Sequence, residues 1–404
     1  MSRSLLTAAW LTACPAAWAQ ADTAGARADS AAVLTMDAAY ARPFQQLGHG
    51  PVALGGYLEA NSRYAGADGV SEGLSFQLPR LTLFVTAAVA ARIKFLTEVE
   101  LEEGGREINI EFASLDLHLH PLLNLRGGVV MNPIGAFNQD HDGPKWAFTD
   151  RPLAATTIIP ATWSNVGFGL YGKHAQGPWA WGYEAYITNG FDDRIIDNAQ
   201  GRTWLPATKE NGERFAESPN GVPLFTVKGT VDHRGIGELG LSWMGGVYNT
   251  FEVDGLPLDS RRRVDVWALD YNTRLGARGP RLTAEHVWAR VDVPATYTQQ
   301  YGTRQRGGFV DVVQPLWQHP VLGWAKAELE VAARMEYADY NAGNFRETGG
   351  PIADDRKGIT AGLGFRPVAG TVVRANYGYL WERDLLGNPA SRTASITFGV
   401  ASYF

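Results

Sequence analysis

Cysteine is almost missing from this chain: Cys14 is the single one in 404 residues, so no internal disulfide can form and stability must come from elsewhere. Methionine is scarce as well, at five. Beyond the N-terminal region no run of 18 apolar residues occurs, which excludes a membrane-spanning helix there. An excess of positive charge is also lacking: the formal net charge is −6, which argues against a nucleic-acid partner.

What the chain does hold is glycine and aromatics, with 46 Gly, 13 Trp, 15 Tyr and 17 Phe at a mean hydropathy of −0.17. That composition suits strands and turns better than helices. The length would make two or three ordinary soluble domains, but an all-β barrel spends it on one.

The N-terminus reads as an export signal over residues 1–19. Arg3 supplies the positive region, Leu5 to Ala13 the apolar stretch, and Ala17, Trp18 and Ala19 a small-x-small cleavage site before Gln20. Leu11 to Cys14 also resembles a lipoprotein box, which would leave Cys14 lipidated. Residues 20–50 are rich in alanine with scattered charge and end at Gly48, His49 and Gly50. They read as a periplasmic segment, a short helix plus linker, or as a disordered stretch.

From residue 51 onward the pattern has period two. Ala325, Ala327, Leu329, Val331, Ala333, Met335 and Tyr337 interleave with Lys326, Glu328, Glu330, Ala332, Arg334 and Glu336. Ile93, Phe95, Thr97, Val99 and Leu101 alternate in the same way with Lys94, Leu96, Glu98, Glu100 and Glu102. Alternation alone does not separate a soluble sandwich from a barrel. The connections do, because tight links (at Ala90, His120, Ala175, His233, Ala277, His319 and Pro367) alternate with longer polar loops. Short turns on one rim and long loops on the other are the habit of outer-membrane barrels.

The expected strands begin near Pro51, Leu74, Ala91, Arg106, Leu122, Ser164, Trp179, Leu224, Ile236, Arg262, Pro280, Gly302, Leu322, Arg356, Thr371 and Ser391. About 16 antiparallel strands, an even number, would close a transmembrane β-barrel over 51–404. Phase slips near Ala113 and around Ala268 read as bulges. In the last strand Ala394, Ile396, Phe398, Val400 and the terminal Phe404 share one face, similar to the signal by which barrels are recognised by their assembly machinery in the outer membrane of Gram-negative bacteria. Tyr57, Tyr64, Trp163, Trp179, Trp181, Trp243, Trp288, Trp317, Trp324, Tyr379, Trp381 and Tyr403 would form the two interfacial girdles.

On this reading Arg63, Arg80, Lys94, Arg126, Lys326, Arg334 and Arg374 face the lumen, opposed by Glu98, Glu100, Glu328, Glu330 and Glu336 among others. Neither sign dominates, so weak ion selectivity is expected.

Residues 132–172 bring a resemblance. The Pro-x-Gly-x-Phe-Asn start at Pro133, the pair His141 and Asp142, the Asp150-Arg-Pro-Leu step and the Trp163-Ser-x-x-Gly-x-Gly-Leu-x-Gly close are similar to the phosphate-selective porin O and P family. Arg80-Leu-Thr-Leu-Phe, the Glu98 to Glu102 strand and Phe404 resemble the same family. The resemblance implies a porin that passes small hydrophilic solutes or ions, often a homotrimer, with the third loop folded into the lumen as a constriction. Matching the loop puts Asp140, His141, Asp142, Lys145, Asp150 and Arg151 near the narrowest part. No run of arginines aligns as a phosphate ladder, and no cofactor is implied.

Other matches carry less. Gly69 to Gly73 fits the G-x-S-x-G elbow but falls in a first-loop turn with no helix after it. Gly167 to Gly172 fits a dinucleotide fingerprint but falls in a strand. Asp116, His118 and His120 share a strand face and could be a metal cluster, but no fourth ligand is evident and a polar lumen wall near the periplasmic turn explains them better. Glu98, Glu100 and Glu102 could be an acid/base pair, yet they too read as lumen wall. The alternatives to a porin are an outer-membrane barrel enzyme of protease or lipase type and a secreted β-rich sugar-binding protein.

Overall fold

A computed structural model describes residues 34–404. The proposed signal peptide, its cleavage after Ala19 and Cys14 lie outside the described residues. Sixteen long strands follow one another: β1 Val52–Ala67, β2 Val70–Ala90, β3 Ile93–Glu102, β4 Glu107–His120, β5 Leu123–Met131, β6 Ser164–Gln176, β7 Trp179–Thr188 and β8 Leu224–His233. Then come β9 Gly237–Val247, β10 Arg263–Arg274, β11 Arg281–Val291, β12 Arg304–Val321, β13 Trp324–Asp339, β14 Asp355–Arg366, β15 Thr371–Arg383 and β16 Ser391–Tyr403. Every strand pairs antiparallel with the next, and β16 pairs with β1 from Thr393 opposite Ala67 to Tyr403 opposite Tyr57. The sheet is therefore a closed barrel with no open edge.

All the expected strand starts fall within four residues of observed ones. Tight turns at 91–92, 121–122, 177–178, 234–236, 275–280, 322–323 and 367–370 mark one rim. The other rim carries the longer loops, above all 132–163 and 189–223.

The first loop departs from expectation. It is a two-residue turn, with Asp68 at φ 49° and Gly69 at φ 85°. An Asp-Gly pair takes up the doubly left-handed hairpin turn readily, so β1 and β2 run on past the rim as a two-stranded ribbon. Ser71 therefore lies in a strand and not in a nucleophile elbow.

Outside, Leu239, Leu269, Met335, Ile359, Ile396 and Phe398 are exposed on β9, β10, β13, β14 and β16, part of the apolar surface that a bilayer demands. The expected bulge near Ala113 is present: the β3–β4 register slips between Glu98 and Val99, opposite Phe112 and Ile110. The one expected around Ala268 is absent, since β10 pairs regularly with both neighbours. The pattern there breaks for another reason. Val264, Val266 and Ala268 point inward yet are fully buried, because loops pack on them from within the barrel.

Three expected girdle aromatics also turn inward. Tyr57 and Trp163 are buried, and the Tyr403 hydroxyl donates to Asp142 at 2.7 Å. Each has found a partner inside that its position near a strand end did not reveal.

Candidate functional site

The third loop, 132–163, folds into the barrel. A backbone entering a closed barrel must have its polar groups paired, and here the wall supplies the partners. At its start Glu285 on β11 accepts the N–H groups of Ala136 and Phe137 at 2.7 and 2.9 Å, while Lys228 on β8 donates to the Gly135 carbonyl at 2.9 Å. Gly135 makes this approach with φ 71°, a conformation that disfavours side chains.

Further along, arginines from the far wall hold the loop's carbonyls. Arg374 donates to Gly143 and Trp146 at 3.0 and 2.9 Å, Arg366 to Pro144 at 2.6 Å, and Arg334 to Asp150 at 2.7 Å. Asn376 accepts from the Thr149 N–H at 3.0 Å, and Glu336 from that of Leu153 at 2.8 Å. The loop thus leaves the wall between β5 and β6 and is fastened to β8, β11 and β13–β15.

Of the residues expected at the constriction, His141 and Asp142 are buried. Asp140 pairs with Lys145, whose ammonium is also 3.5 Å from Asp142. Asp150 is largely exposed and pairs with Arg63 at 3.3 Å, and Arg151 lies 3.7 Å from Glu100. Burial alone would raise the Asp142 carboxyl; Arg42 and then Lys145 outweigh it and hold the group well below the usual carboxylate range.

Besides Arg63 and Glu336, which meet Asp150 and the Leu153 N–H of the loop, the expected lumen wall divides into three groups. Lys94 and Lys326 are exposed near the short turns. Arg80, Glu98, Glu100, Glu330, Arg334 and Arg374 are engaged in buried ion pairs or on the loop. Arg126 pairs with Asp116 at 2.8 Å and Glu328 with Arg281 at 3.3 Å. The arginines that looked scattered do meet in space. Arg80 and Arg374 share Glu59 at 2.6 and 3.1 Å, and Arg80 and Arg151 share Glu100 at 3.4 and 3.7 Å. They meet on carboxylates, so they are not a bare positive ladder.

The suspected Asp116, His118 and His120 cluster does not assemble. Asp116 is occupied by Arg126, Tyr40 and Tyr171, His118 faces Asn124 at 3.2 Å, and His120 accepts from the Leu122 N–H at 3.1 Å. Two other groups come close enough to share an ion among the described residues: Glu98, His141 and Asp142, and Glu100, Glu102 and Glu111. Both already border cations, Arg42 in the first and Lys209 with Arg80 in the second.

Two contributors were not legible beforehand. Loop 189–223 closes over the long-loop rim, burying Ile195 and Leu205 and fixing itself by Lys209 to Glu111 at 3.2 Å and Arg202 to Asp354 at 2.5 Å. The chain before β1 enters the lumen: Arg42 bridges Glu98 and Asp142 at 2.9 and 2.6 Å. Where a free segment or linker was expected over 20–50, its described part from Leu34 to Gln46 packs on the inner wall.

No family model matches the chain. A curated relative, an uncharacterized protein of Aquifex aeolicus strain VF5, is 36% identical over 146 residues, or 34% of this chain; the match spans only 32% of that relative. Several solved structures share the architecture. OmpF of Salmonella typhi superposes with a TM-score of 0.55 at 11% identity, over 89% of this chain and 100% of that one. An anion-selective porin from Comamonas acidovorans gives 0.53 at 14% identity over 87% and 99% of the two chains. The outer membrane channel DcaP of Acinetobacter baumannii gives 0.52 at 12% over 87% and 97%. The fold is that of outer-membrane porins.

Proposed function

We propose that this chain is an outer-membrane channel through which small hydrophilic solutes or ions diffuse passively, with loop 132–163 setting the narrowest section. The observation that carries this reading is the loop's attachment to the far wall by Arg334, Arg366 and Arg374, which spends buried charge on holding backbone across a lumen. A porin fold and an apolar exterior support it. An enzyme reading has no comparable support among the described residues: the Ser71 hydroxyl donates to Tyr64 at 3.1 Å and not to a histidine.

The charges that keep contact with solvent inside are mixed. Arg63, Lys145 and Arg281 stand against Asp140, Asp150 and Glu102. Rings of one sign select ions, and this balance selects weakly. The phosphate preference of the resembled family is accordingly not part of the proposal. Export by a signal cleaved after Ala19, insertion through the strand ending at Phe404 and assembly as a homotrimer are.

Planar-bilayer recording of the purified protein tests the reading. Discrete conductance steps and a zero-current potential near zero across a potassium chloride gradient are expected. A strong chloride preference, or phosphate block of the chloride current, would contradict the charge balance. A silent barrel that cleaves peptide or lipid would replace the channel with an enzyme.

A further inference from the structure

Leu34 to Gln46 takes a course that barrel closure does not need, since β16 and β1 pair over Tyr57 to Ala67 without it. The Thr35 N–H donates to Glu238 on β9 at 2.9 Å, and Leu34 and Met36 pack on Ala180 of β7. Asp37 pairs with Lys173 on β6 at 2.6 Å, and the Tyr40 hydroxyl donates to Asp116 on β4. Arg42 then reaches Glu98 on β3 and the loop's Asp142, with its guanidinium 4.1 Å from the centre of the Phe84 ring on β2. Gln45 and Gln46 finish by pairing with Leu54 and Ala53 on β1.

The segment therefore follows the inner wall from β9 round to β1, close to the short turns. A solvated leash would not bury a cation, yet Arg42 is 5% exposed and Leu34 1%. Space on its two sides differs sharply. Towards the short-turn rim lies a cavity of about 550 Å³ bordered by Lys94, His118 and Lys173. Between the segment and the third loop lies a cavity of about 30 Å³, bordered by Met36, Tyr40, Ser114 and His141. That holds roughly two waters.

We infer that residues 34–46 are a tethered plug, latched by Arg42, that seals this half of the lumen against the third loop and must leave before the full cross-section opens. The inference rests on the channel reading. The hold is mostly polar: one small apolar patch at Leu34, Met36 and Ala180 stands beside the contacts of Thr35, Asp37, Tyr40 and Arg42. Taking Arg42 away leaves Glu98 and Asp142 buried together without their shared cation, and such a site favours the water-filled, released state.

Ser114→Cys reports on the plug, because Ser114 lies beneath it and is 5% exposed. In proteoliposomes, labelling by a membrane-impermeant thiol reagent is expected to be slow with the intact segment. It should rise at least about tenfold with Arg42→Ala or with 34–46 deleted, since breaking a buried pair shifts an equilibrium by more than a decade. Arg42→Lys should retain part of the protection, and the unplugged forms should show larger conductance steps. Heat-dependent gel migration checks that each variant still forms a barrel; if the deletion does not, Arg42→Ala decides alone. Equal labelling in all forms overturns the plug, and leaves the channel standing if steps persist. Faster labelling with no conduction in any form keeps the plug and defeats the channel.

Discussion

The two halves of the lumen are filled in opposite ways. Along β9–β11 the inward residues Met244, Val264, Val266, Val287 and Val291 join Ile158, Trp163, Ile195 and Leu205 of the two long loops in one apolar core. Along β1–β4 and β13–β15 the inward residues are charged and pair with one another; they hold the third loop by hydrogen bonds to its backbone carbonyls and the chain before β1 by the Arg42–Glu98 pair. Aliphatic packing carries no group that titrates and has no use for water. Charge pairs exchange readily with water once it enters. The apolar half is thus a fixed wall that narrows the barrel, and under the proposed channel reading the charged half is where solute passes and the plug moves.

Deleting residues 138–151 should break that contrast most strongly. The strands pair without this stretch, so the barrel should still form and shift on unheated gels. Unitary conductance should rise at least about twofold, because the narrowest section sets the resistance. Unchanged conductance would place the resistance elsewhere, for example under loop 189–223.

Single substitutions sharpen the contrast. Arg374→Ala leaves Glu59 with Arg80 alone and frees the Gly143 and Trp146 carbonyls. Breaking such a buried pair costs about 3–5 kcal/mol, and Arg374→Lys should recover part of it, since charge returns without the guanidinium fork. A lowered midpoint of the heat shift together with noisier open-channel current is the expected result. Leu205→Ala acts on the other half, where Leu205 is fully buried. Its cost is about 2–5 kcal/mol, and it should appear as faster tryptic cleavage at Lys209 or Arg214 with conductance steps unchanged. If both variants disturb conductance alike, the two halves are not separate.

The same contrast explains what could be read from the chain beforehand. Strand number and starts were legible because turn residues recur between segments whose charged faces alternate cleanly, as in Ala325 to Tyr337 and Ile93 to Glu102. Around Ala268 the alternation vanished and suggested a bulge, because both faces there are apolar: one meets lipid and the other meets the loops. The third loop was visible through its length and motif. Its fastenings were not, since Arg374 and Gly143 stand 231 residues apart and neither carries a local sign of the other. Residues 34–46 passed for a linker because they end an alanine-rich stretch, 20–50, with scattered charge; the faint signal was Tyr40, Arg42 and Phe44, two aromatics flanking a cation.

The smallest effect expected is that of mild acid, and it separates the two halves by what does not happen. Asp142 lies in the third loop and ties that loop to Arg42, Lys145 and Tyr403. Folding lowers its pKa despite burial, because Arg42 and then Lys145 favour the carboxylate. The stabilisation it carries is therefore complete above the ordinary aspartate pKa of about 3.9, and is lost only as pH falls below that value towards the folded one. Between pH 7 and 5 the conductance step should stay flat, and the loop and plug should remain docked. Below about pH 4 the charged half should begin to loosen, and the steps should become larger and noisier, while the apolar half holds. Steps that already grow between pH 7 and 5 would have to come from a group other than Asp142, such as Glu285, which holds the third loop at the Ala136 and Phe137 N–H groups.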